Sequence, residues 1–530
     1  MAFRVLRCRE LLDEIFSYFA VQPTSTGDYD EKAATKNKWN ATLIDAALAG
    51  RALYEPALDV LWSHLDHLDP LLLVLGVWKR RDPKPLRKKR KTLVAVCPIY
   101  VMRDGFCPDR FARFQHHARR ILSTNGLNRS PVDILVWRAL SAANGGKPLL
   151  PRLRRAVWYV DSAFDVDLLL LIPRTLRYLD VQHWDEVYGP QFEMSTKTKC
   201  KYKRILTARD QLTDYMLVRI QEAAPDLTQI RICTPRFESL VVLSWCRSLA
   251  HLTLKTRREF ALPGGAYKAP FLVLQSLDVS APVGSVKALL ASLRCPKLRH
   301  VSLRPHNPCT LDDLKGCLMI LVDTFGDILE GVAVAAWPQT SREQRSKVAV
   351  PFAAAVLSVL SRMQSLRSVA LSGATAFWTS GFALDGILKA WPALRSLKIT
   401  LLSELPSDYP RYLPIPVPTI TDDDLMSLPA PTIPGLLEIS KLCPDLRVLE
   451  LPVVDALHLP SARAAVRLKL DHVKFRTVRR RKSVCDDCVW DALDDICLDT
   501  EVAHWLYLLD ELIEDVPNTG REPFALITVN

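Results

Sequence analysis

Pro296–Leu303 reads PKLRHVSL and Pro444–Leu451 reads PDLRVLEL. Each opens on a proline, which ends any helix before it. A leucine follows, and then two apolar positions separated by one residue, the period of a strand with one buried face. The same phrase stands at Pro151–Trp158 (PRLRRAVW), Pro173–Val181 (PRTLRYLDV), Pro225–Ile232 (PDLTQIRI), Arg247–Leu254 (RSLAHLTL) and Leu272–Val279 (LVLQSLDV). It returns at Gln364–Leu371 (QSLRSVAL) and Pro392–Ile399 (PALRSLKI), with weaker copies at Asp327–Val334 (DILEGVAV) and Arg463–Leu470 (RAAVRLKL).

The anchoring leucines fall at 153, 176, 227, 249, 274, 298, 366, 394 and 446. The short steps between them, 22 to 28 residues, match the period of leucine-rich repeats. Leucine supplies 83 of 530 residues. Helical stretches at Asp214–Ala223, Ser285–Leu293, Leu311–Phe325, Phe352–Ser361 and Gly435–Leu442 lie ahead of the phrases. Strand, helix, strand at this spacing implies parallel neighbouring strands. The expected fold is α/β, a curved leucine-rich-repeat solenoid with strands on the concave face and helices on the convex face. The array should fill 149–475, about eleven copies, with loop insertions near 186–203 and 403–434, and an acidic helical cap over 476–530.

Along the strands, the side chains between the apolar positions point away from the core. They make a candidate binding face: Tyr178, Asp180, Gln229, Arg231, His251, Lys255, Asp278, His300, Arg304 and Lys398. Its middle leans basic through Arg231, Lys255 and Arg304, which favours a partner with an acidic or phosphorylated segment.

Charge and cysteine narrow the function classes. The net charge is +12, yet Lys79–Lys91 (KRRDPKPLRKKRK) alone contributes +8. Basicity confined to a few loops argues against a nucleic-acid-binding face. A basic loop of this kind also reads as a nuclear localisation signal, so cytoplasm and nucleus are both expected. Thirteen cysteines, thinly spread, suggest reduced thiols rather than a disulfide framework. Cys246, Cys295 and Cys443 read as small buried hydrophobes. No apolar run is long enough to span a membrane, and Met1–Phe19 carries too many charges for a secretory leader. Cys485 and Cys488 lack a second paired arm for zinc, and no His, Asp and Ser grouping suggests catalysis. A non-catalytic protein without cofactor is expected.

The N-terminal residues differ in kind. Leu11, Leu12, Ile15, Phe16 and Phe19 lie at helical spacing in CRELLDEIFSYF (8–19). A polar linker, Gln22–Lys38, is expected next, and then amphipathic stretches over Asn40–Trp62 and His64–Leu75. Glu10–Phe19 and Arg51–Leu75, with the string EPALDVLW, resemble the F-box of fungal F-box/leucine-rich-repeat proteins, especially the basidiomycete group. Asp109–Leu122 is similar to the phrase that leads into the repeats in that family. Arg9 stands where the family usually has Pro, and Gly50 where it usually has Cys.

The resemblance implies an F-box-like helical module over 1–75, a lead-in over 76–148, and a substrate receptor of a Skp–cullin–F-box ubiquitin ligase. By that analogy Leu11, Leu12, Ile15, Phe16 and Leu48 would enter the Skp adaptor, with a cullin recruited through it. Leu53, Leu58 and Trp62 would close the module's own core, and the repeats would hold a protein substrate. The alternative is a leucine-rich-repeat interaction scaffold whose F-box has drifted.

Overall fold

The computed structural model describes residues 8–19, 29–80, 99–102, 107–127, 132, 134–160, 169–183, 211–233, 237–256, 259, 269–305, 309–336, 352–373, 388–401, 441–455, 472–481 and 524–528. The insertions at 186–203 and 403–434, the weak copy at 463–470 and the acidic stretch 485–514 lie outside the described residues. The chain is α/β, and it divides into two compact units, Met1–His251 and Leu252–Asn530.

The first unit opens with three helices, Arg9–Ser17, Tyr29–Ala49 and Arg51–Ser63. Leu12, Phe16, Leu43, Ala47 and Ala57 form their core, with Phe19, Leu53, Val60 and Leu61 packed against it. The second helix begins well before the expected end of a linker at Lys38. No Gly or Pro interrupts 28–49, and Asp30 and Glu31 favour the positive end of a helix dipole. Gly50 caps the third helix with an extended backbone, φ −175°. A Cβ there would meet nothing within 4 Å, so the glycine leaves no void.

Parallel pairing starts earlier than residue 149. The third helix runs straight into a strand, His64–Leu65, paired with Ser123–Thr124, which pairs with Arg155–Ala156. Arg155–Val160 then pairs with Tyr178–His183, and Tyr178–Val181 with Gln229–Ile232, all parallel. The basic segment at 79–91 lies mostly outside the described residues. Its flanks, Val77–Arg80 and Ile99–Met102, form an antiparallel two-stranded ribbon.

In the second unit Ser276–Ala281, His300–Pro305, Gly331–Ala336, Ser368–Gly373, Ser396–Leu401, Val448–Asp455 and His472–Arg481 pair in that order, each parallel to the next. Phe524–Thr528 closes this run antiparallel to His472–Arg481, so the described end of the chain is strand. The helices Val283–Ser292, Leu311–Phe325 and Phe352–Leu360 connect strands and pack in sequence on one another. Thr310 starts the second of these by accepting the N–H of Asp313, and two acidic residues fill its first turn.

The phrase has a backbone cause. Seven of the nine anchoring leucines turn back on the residue three before them, among them Leu176 N to Pro173 O, Leu249 N to Cys246 O, Leu298 N to Cys295 O and Leu446 N to Cys443 O. The residue after the leucine then donates to its equivalent one copy earlier. Arg177 donates to Arg154 and Thr228 to Arg177 in the first unit; Glu330 donates to Arg299 and Arg395 to Arg367 in the second. The leucines themselves are 0–2% exposed. At about 25 cal/mol per Å² their burial is a main source of stability in every copy.

Candidate functional site

The N-terminal module splits its candidate contact residues in two. Leu12 and Phe16 are 4% and 6% exposed and belong to the module's own core. Leu11 and Ile15, four residues apart on one helix, are each 47% exposed, and Leu48 is 79% exposed. Ile44, one turn before Leu48, is 46% exposed, and Tyr18 is 75% exposed. Helical spacing alone marked neither of them, because it orders residues around an axis without saying which neighbour covers them. Leu58 is buried as expected, and Leu53 and Trp62 are half-buried.

Arg9 ties the first helix to the third. Its guanidinium pairs with Asp13 at 3.1 Å and with Asp59 of the third helix at 2.6 Å. Asp59 also takes Arg120, which is 7% exposed on its side chain and pairs with Glu55 as well. The Arg120 hydrogen bond holds the Glu55 carboxyl below its usual range, against the cost of its burial. His116 Nε2 lies 2.8 Å from Arg120 Nη2, and since a guanidinium only donates, the imidazole accepts. His117 stacks on Trp62 with ring centroids 4.2 Å apart. Burial, then the neighbouring His116 and Arg120, push its pKa down to about 4.

Over 229–232, 251–255 and 300–305 burial alternates as the phrase requires, but over 156–159 and 179–181 it does not: Val157, Tyr159 and Asp180, expected to point away from the core, are buried as well. In the first unit Ile230 and Ile232 face the core while Gln229 is exposed and Arg231 half-buried. Asp180 stands in register with Arg231, Tyr178 with Gln229, and His251 is exposed at the unit's end. Asp180 is 4% exposed; it accepts a 2.7 Å hydrogen bond from Gln182 and lies 3.9 Å from Arg231. Arg155, which the sequence reading passed over, sits in register with Tyr178, its guanidinium carbon 4.4 Å from the ring centroid.

In the second unit Lys255, Asp278, Arg304 and Lys398 are half-buried and His300 is exposed. Arg304 pairs with Asp278 at 3.6 Å. Lys398 pairs with Glu450, which His472 also approaches at 3.6 Å. His300 lies over Gly331, where a Cβ would come within 2.5 Å of Nδ1 and push the ring away. Ala333, Ala370, Ser302, Ser368 and Ser396 continue this face with small side chains.

Two of the three bases behind the expected lean, Arg231 and Arg304, face a carboxylate from a neighbouring strand, as does Lys398. A sequence count registers the bases but not the strand register that supplies their partners.

The thiols behave as packing groups. Burial raises Cys246 and Cys443 to about 11 and Cys295 to about 12. Among the described residues no cluster of His, Cys, Asp or Glu is placed to hold a metal, and no helix is long and apolar enough to cross a membrane. Cys485 and Cys488 lie outside the described residues. No protein-family model and no curated protein matches the chain.

Proposed function

We propose that the protein is the substrate-recognition subunit of a Skp–cullin–F-box ubiquitin ligase. It binds the Skp adaptor through its N-terminal helices and a protein substrate through the outward strand face of a leucine-rich-repeat solenoid. The observation that carries this reading is the division of the first helix. Leu12 and Phe16 close the module, while Leu11 and Ile15 stay exposed on the same helix as Tyr18 leaves it, and Ile44 and Leu48 stay exposed on the next. Apolar side chains held outward by a closed core suit a partner's surface. The resemblance of Glu10–Phe19 and Arg51–Leu75 to the F-box supplies the identity of that partner. The direct step from the third helix into the first strand would hold a bound substrate at a set place relative to the adaptor, and proximity is how such a subunit works.

Co-expression of the full chain with the Skp adaptor, followed by co-purification, tests this. The wild type should retain the adaptor, and an Ile15→Asp, Leu48→Asp double variant should lose it while remaining folded. Equal retention by both, or none by the wild type, removes the reading. In that case the chain stands as a repeat scaffold without a ligase role.

A further inference from the structure

Every acidic group described on the strand face of the first unit already has a cation, but the reverse is not true. Asp180 is held by Gln182 and Arg231, and Asp66 by Lys36. Arg155 makes no ion pair among the described residues. Its Nε is buried without a hydrogen-bond partner, and its guanidinium plane rests on Tyr178. Tyr178 is half-buried, and Arg231 is near enough to oppose the rise that burial gives its phenol pKa. The half-buried ring gives Arg155 a platform in the folded chain, before any ligand arrives.

A stacked guanidinium keeps its N–H edge for a planar anion and pairs with a carboxylate through two parallel hydrogen bonds. The second unit offers a contrast, since Arg304 and Lys398 there are matched by Asp278 and Glu450. His64, two strands from Arg155 in register through Ser123, reports the local field: burial first, then Lys36 and Arg155, lower its pKa.

The geometry points to Arg155, seated on Tyr178, as a subsite for the side-chain carboxylate of an acidic peptide segment in the protein partner. This rests on the proposed use of the strand face for substrate, and narrows the partner to one that presents Asp or Glu to the first repeats.

The test is fluorescence anisotropy on the full chain with a labelled short peptide of alternating glutamate and serine. A glutamine counterpart and a phosphoserine counterpart run beside it. The glutamate peptide should bind and the glutamine peptide should not. Arg155→Gln should weaken binding about tenfold, the loss of a charge-assisted hydrogen-bonded pair. Arg155→Lys keeps the charge without the fork and should fall within about twofold of Arg155→Gln. Arg174→Gln removes an exposed charge elsewhere and should change affinity by less than about twofold.

Binding that survives Arg155→Gln, or that Arg174→Gln weakens equally, overturns the subsite. A phosphoserine peptide that binds about tenfold tighter with the same dependence on Arg155 overturns the carboxylate and assigns the subsite to phosphoryl groups. Adaptor co-purification of the same variants reads the ligase assignment separately, because Arg155 lies outside the N-terminal helices.

Discussion

Phe16 and Ile15 are adjacent, yet the structure gives them opposite tasks. Phe16→Ala should cost about 3–5 kcal/mol in a denaturant titration, because it opens a cavity in the helical core. Ile15→Asp should leave the unfolding midpoint within error and act only on partner binding. Arg120 is a residue of the first kind. It is nearly buried between Glu55 and Asp59, and Arg120→Ala should destabilise by about 1 kcal/mol, because Glu55 loses its arginine while Asp59 keeps Arg9 and both carboxylates reach solvent.

Its neighbour His117 adds a pH dependence. The folded-state pKa, about 4, lies below the ordinary imidazole value of 6.5, so the unfolded chain takes up the proton first. Stability is therefore intact above about pH 6.5 and falls as pH drops towards 4. Melting curves across this range should show the loss, and His117→Phe, which keeps the stack on Trp62, should reduce it. None of these roles was legible in the sequence. Nothing in the sequence marks His116 and His117, because the acids and the arginine that surround them come from 55–59 and 120.

Elements were legible where burial and backbone bonding repeat together. The anchoring leucines and the alternating positions after them gave the strands, since most of these leucines serve the same turn and the next residue the same ladder bond. Leu298→Ala should cost about 2–5 kcal/mol for this reason. The cysteines before such leucines were equally readable. Alkylation of the folded chain followed by mass spectrometry should leave Cys246, Cys295 and Cys443 unmodified and modify exposed Cys107.

Elements without the phrase were missed. His64–Leu65 and Ser123–Thr124 are only two residues long, too short for any periodicity. The helix start at Tyr29 was hidden because polar residues there resemble a linker in composition. The open space around Gly50 was equally hidden, since it appears only when the neighbouring helices are in place.

For the whole molecule, the α/β class with parallel strands followed from the sequence, while the pairing of charges across strands did not. Register decides that pairing, and register is a property of residues far apart in the chain. The same limit applies to the N-terminal module, whose outward residues are defined by which apolar neighbours the core has already taken.

The central claim is that those outward residues hold the Skp adaptor. Hydrogen exchange of the full chain, with and without the purified adaptor, tests it most directly. The account predicts added protection confined to 9–17 and 29–49, and loss of that protection in the Ile15→Asp, Leu48→Asp variant. Unchanged exchange over both helices in the presence of excess adaptor would contradict it.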